Sequence, residues 1–268
     1  MNKAETRQLI RDLRAAVMLG QPEAVDLALD RLLTFPGVAA NDQLSEELIE
    51  KVILPIGQVL TKLESNQLRP LLVNPLVAGR AIGAVAMAHR FIEGKESTQK
   101  DLRKPASDAR LEVRTALGKS LSEVAEVDPE KVLNLGTTWL MGNSPKLRHS
   151  ALLFIPALAG SYGKRIVGLV GPMGADKDRD VRKALVEAMN TLAQTGLAES
   201  VLRLLALWVT EATPNAWVIC RVLSASWATD HPAETESILR DVYSQTGKTS
   251  EVTNALRALE RHGLKINL

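Results

Sequence analysis

Three stretches of the 268-residue chain carry the residue types that chemistry uses. The run DKDRDVRKAL (176–185) sets three aspartates among lysines and arginines, as an acid–base cluster or a phosphate cradle would. The run GLVGPMGADK (168–177) is rich in glycine and ends in Lys177, a composition that lets backbone amides approach a phosphate. GKTS (247–250) ends like a phosphate-binding loop, but Val242 stands where that motif needs a glycine. The preceding ETESILRDVYSQ also reads as helix where the motif needs a strand. His89, His149, His231 and His262 have no metal-ligand spacing, and one cysteine builds neither a zinc site nor a disulfide. That cysteine, Cys220, lies among Val218, Ile219 and Val222 and reads as an inert buried thiol. No Gly-x-Ser-x-Gly stretch occurs. The expectation is a chain with no catalytic set, no metal and no cofactor.

The elements that position these residues repeat. A step of 34 residues links Arg80, Arg114, Arg148 and Arg182, in the contexts GRAIG, VRTAL, LRHSA and VRKAL. The same step runs through Met87, Leu121, Ile155, Met189 and Leu223, and through Phe91, Ala125, Ala159, Ala193 and Trp227. Each unit reads as two helices. In 177–195 the apolar stripe is Val181, Ala184, Leu185, Ala188, Met189 and Leu192, followed by a break at Thr195-Gly196. A second apolar stripe then runs from Leu197 to Val209. Caps followed by proline at Asp128-Pro129 and His231-Pro232 mark helix starts. Hairpins of this size cannot bury their own apolar faces, so they must stack.

Asp178, Val181, Arg182 and Ala184, echoed by Val113-Arg114 and Leu147-Arg148, give the chain its resemblance to the HEAT-repeat superfamily over about 70–263. The resemblance implies an all-α, right-handed α-solenoid of helical hairpins. It also implies a ladder between repeats in which Arg80, Arg114, Arg148 and Arg182 pair with acidic groups such as Asp178. Two units depart from the pattern. TPNAWVICRV has no Val-Arg, and GKESTQKDLRKPASD (94–108) has a single leucine, which predicts a short or irregular helix. Residues 1–64 read as further helices that either cap the repeats of 65–268 or make contacts of their own, all in one domain. FPGVAAND (35–42) separates the second and third of these helices, and Pro55 is expected to kink the third.

LALWVTEATPNAWVICRVLSASW is similar to the alkylpurine DNA glycosylase branch of HEAT-like proteins. That similarity implies concave-face aromatics at Trp139, Trp208 and Trp217. On size alone, these and Trp227 read as core. Asn143, four residues after Trp139, stands where that family has an aspartate. A neutral amide cannot hold a developing cation as a carboxylate does, so base excision is not expected.

Net charge is only +2, yet 143–186 holds eight basic and three acidic side chains. Lys146, Lys164, Arg165, Lys177, Arg179 and Lys183 are the candidates for a phosphate-binding strip. Their alternative is simple solvation. The expected partner is a protein or a nucleic acid on the concave face, bound without catalysis. Aromatics at 3% against 46% hydrophobic residues suit helix-on-helix packing. The single cysteine, an N-terminal stretch without the apolar core of a signal peptide, and the absence of a long uncharged apolar run predict a cytoplasmic protein off the membrane.

Overall fold

The structure is a computed structural model that describes residues 3–33, 43–92, 96–247 and 249–268. Among these residues every regular element is helical and no β-strand occurs, so the chain is all-α. The break read at 35–42 lies outside the described residues. Packing groups the chain into two compact units, Met1–Trp139 and Leu140–Leu268.

In the first unit Lys3–Leu19 packs on Pro22–Leu33. Leu9, Leu13, Ala16 and Val17 are buried on the first helix, and Val25, Leu29 and Leu32 on the second, as their helical spacing dictates. The chain is helical again over 46–60. Its turn widens at Ile49–Ile53, directly ahead of Pro55, which has no N–H to give the ladder. Helix Val77–Ile92 is the hub of this unit. It packs on Pro22–Leu33, Leu54–Leu60, Glu96–Ala106 and Leu111–Val124. Its small residues make that possible: a Cβ on Gly83 would come within 2.9 Å of the Leu71 side chain. In 94–108 the helix is Glu96–Ala106, 11 residues long with Pro105 inside it; the buried Leu102 and Ala106 anchor it.

In the second unit the helices form two layers. Pro145–Phe154, Arg179–Leu192, Ala212–Leu223 and Ser250–Arg261 pack each on the next. Lys164–Val170, Ala198–Val209 and Pro232–Thr246 do the same beside them. By length and composition 179–209 would pass for a membrane span. It is broken, however, by non-helical backbone at Thr195 and Gly196 (φ +91°) into helices of 14 and 12 residues. Both apolar columns read from the 34-residue step are buried, and Met87, Leu121, Ile155, Met189 and Leu223 are 0% exposed.

One hydrogen-bonded clasp occurs in both units. In the second, Arg148 Nε and Nη2 donate to Asp176 at 2.7 and 3.2 Å, and Nη1 donates to the Gly142 carbonyl at 3.1 Å. Asp176 also accepts from the Asp178 amide at 2.9 Å. In the first, Arg80 Nε donates to Asp108 at 2.8 Å and Nη1 to the Asn74 carbonyl at 2.9 Å, while Asp108 accepts from the Arg110 amide. Each arginine meets the carboxylate 28 residues on and the carbonyl six residues back.

Replacing Ile155 by alanine should cost about 2–5 kcal/mol, the range for a large core aliphatic. Arg148→Ala should cost about 1–3 kcal/mol, because it strands the buried Asp176 carboxylate. Urea unfolding followed by circular dichroism reads both, and an unchanged midpoint for Ile155→Ala would mean that its column is not core.

Candidate functional site

Charge, aromatic surface and concavity coincide at a groove in the second unit. Helices Arg179–Leu192 and Ala212–Leu223, with the start of Ser250–Arg261, leave a groove of about 440 Å³. Asp178 builds its first wall by capping the helix, accepting from the Asp180 and Val181 amides at 2.9 and 3.0 Å. That cap turns Val181 inward and leaves Arg179, Lys183 and Glu187 at four-residue spacing along the groove. Trp217 and Arg221, also four apart, line the second wall. Ser250, Glu251 and Asn254 close it, on a helix capped by Thr249, whose Oγ1 accepts from the Val252 amide at 3.4 Å.

Arg179, Lys183 and Arg221 are exposed and form no ion pair among the described residues. In the same unit Arg148, Arg203 and Arg240 are each paired. Trp217 is half-buried, and the Arg182 guanidinium stands 5.4 Å from its ring centre. The Glu251 carboxyl is held below its ordinary range by backbone N–H donation at the helix start and by Ser250, whose Oγ donates at 3.0 Å. Burial pushes the Cys220 thiol up to about 12, and the nearby Glu251 charge acts in the same direction. A thiol so protonated is no nucleophile at neutral pH.

Of the six basic residues named from sequence, Arg179 and Lys183 line the groove. Lys146, Lys164, Arg165 and Lys177 are exposed and do not, and Arg165 lies 5.7 Å from the Tyr162 ring centre. Arg221, which completes the cationic set, escaped the sequence reading because it follows an apolar run beyond the basic segment. Trp139 and Trp208 are buried and offer no face to a ligand. Trp208 Nε1 donates to the Gly171 carbonyl at 3.1 Å, and a Cβ on Gly174 would come within 2.6 Å of its ring. The glycines of 168–177 therefore seat a tryptophan. Trp227 is buried with Nε1 donating to Asn190 at 3.0 Å. Asn143 is exposed.

The proposed ladder is also redistributed. Arg80 and Arg148 carry the clasp, Arg114 is buried, and Arg182 lies against Trp217. Asp178 caps its helix, and the carboxylate facing Arg148 is Asp176, two residues earlier. In the GKTS stretch Gly247 takes φ +75° after one helix and Thr249 caps the next; Lys248 lies outside the described residues. His89 is held below its ordinary value by burial, against the pull of Glu123 at 3.3 Å. His149 is buried, and His231 and His262 sit at helix ends. Among the described residues no three His, Cys, Asp or Glu gather as metal ligands would.

Compared with models of known protein families and with curated proteins, the chain matches none.

Cys220 gives a pH test. Its value rises from 9.0 to about 12 on folding, so at pH 8 the native thiolate fraction is about a thousand-fold lower than in the unfolded chain. A disulfide-exchange reagent should label denatured protein quickly and native protein slowly. Between pH 9.0 and about 12 the unfolded thiol binds fewer protons than the folded one, so stability should fall as pH rises through that window. Fast native labelling at pH 8 would refute the inert-thiol reading.

Proposed function

We propose that the chain is a HEAT-like α-solenoid with repeats of about 34 residues, acting as a non-enzymatic module that binds an anionic partner in the Arg179–Lys183–Trp217–Arg221 groove. The repeat reading is supported by the two buried columns, by the layered helices of the second unit, and by a clasp that recurs 68 residues apart with the same bonds. The binding reading rests on one observation: three cations without ion-pair partners among the described residues converge beside a half-exposed tryptophan. Exposed cations left unneutralised at a concave, partly apolar surface are groups poised for a ligand. The partner is a protein or a nucleic acid, and the working compartment is the cytoplasm.

The second reading is a nucleic-acid strip made by Lys146, Lys164, Arg165 and Lys177 with Arg179 and Lys183. It is favoured by the basic excess of 143–186 and by the similarity to the alkylpurine DNA glycosylases. Asn143 in place of an aspartate, and Trp139 buried, argue against base excision on that surface.

Heparin retention and a duplex-DNA gel shift separate the two. Arg179→Ala/Lys183→Ala/Arg221→Ala should elute from heparin at lower salt than the wild type and keep its unfolding midpoint. If the strip is the site, Lys146→Ala/Lys164→Ala/Arg165→Ala/Lys177→Ala should instead abolish a DNA shift that falls steeply between about 50 and 200 mM salt. Unchanged heparin elution of the groove variant would refute the groove.

A further inference from the structure

We infer that the occupant of this groove is an acidic, aromatic-bearing segment of a protein partner; the inference rests on the groove being the binding site. The first argument is the sign pattern of the lining. Arg179 and Lys183 stand one turn apart on one helix and Arg221 on the next, but Glu187 and Glu251 line the same groove. A nucleic-acid strand carries a negative charge at every nucleotide, so one laid along these cations would also bring phosphates against the two carboxylates. A polypeptide spaces its charges unevenly. It can set an Asp or Glu against Arg179 and Arg221 and turn backbone N–H groups toward Glu187 and Glu251.

The second argument is the character of the remaining surface. Trp217 is half-buried beside the buried Val186 side chain, a flat apolar contact of the kind that aromatic anchors fill. Asn254 is exposed at the rim and can both donate to a peptide carbonyl and accept from a peptide amide. At about 440 Å³ the groove accommodates a few side chains of a short segment.

The test uses the full chain and two fluorescein-labelled probes of equal net charge, a peptide of alternating Asp and Phe and an oligothymidylate, read by anisotropy. The expected result is peptide binding at least about tenfold tighter than the oligothymidylate. Arg179→Gln/Arg221→Gln should weaken it by about tenfold or more, the scale of lost charge-assisted hydrogen bonds, and Trp217→Ala should weaken it as well. Unfolding midpoints confirm that each variant is folded, and the exposed Arg179→Gln alone serves if the double variant is not. Oligothymidylate binding as tight as the peptide, lost in the same variants, would overturn the peptide occupant and leave the groove standing. Peptide binding indifferent to Arg179, Arg221 and Trp217 would place the site elsewhere and overturn the inference. Failure of both probes would remove the groove itself.

Discussion

A carboxylate that is only 5% exposed holds the second unit in register. Burying Asp176 would be costly were it not met by three donors: two from the Arg148 guanidinium and one from the Asp178 amide. Arg148 in turn holds the Gly142 carbonyl. Four points are thereby tied together: the turn before one helix, its first turn, the turn before the next helix, and that helix's cap. Once these are fixed, the distance between Pro145–Phe154 and Arg179–Leu192 is fixed, and Ile155 and Met189 are brought to buried positions. The Arg80–Asp108 clasp does the same work in the first unit.

The clasp does not recur at Arg182 for a reason written in the chain: twenty-eight residues on stands Thr210, which carries no carboxylate. Arg182 therefore turns to the face of Trp217. That contact places Trp217 beside the exposed cations and gives the groove its apolar wall. The groove occurs where the stacking device is interrupted, which is where a fold can present surface that its own packing does not consume.

Much of this was legible before the structure. The buried columns could be read because 34-residue periodicity and the helical stripe are both properties of side-chain order alone. The ladder carboxylate was misplaced by two residues. Asp178 has the obvious cap position, whereas the role of Asp176 emerges only from a pairing 28 residues distant. Glu96–Ala106 holds its helix with little apolar surface of its own because it packs on the hub. Arg221 was invisible because the groove is made by three helices far apart in sequence, and the basic segment at 143–186 contributes only two of its cations. Trp139 and Trp208 are core, as their size implies and against the concave-face role that the glycosylase similarity implies, since a large apolar ring goes to the core unless something holds it out.

Energetics also argue that Arg179 and Lys183 are not there for stability. Arg179 occupies the first helical position after the Asp178 cap, where the macrodipole disfavours positive charge. Lys183 lies one turn on, four residues before Glu187, yet the two are not paired. Cations in the last turn, or in an ion pair, would stabilise the helix; these do neither. A positive pair at the wrong end of a helix, joined by Arg221 across a groove floored by Val186 and Cys220, therefore adds nothing to that helix's own stability.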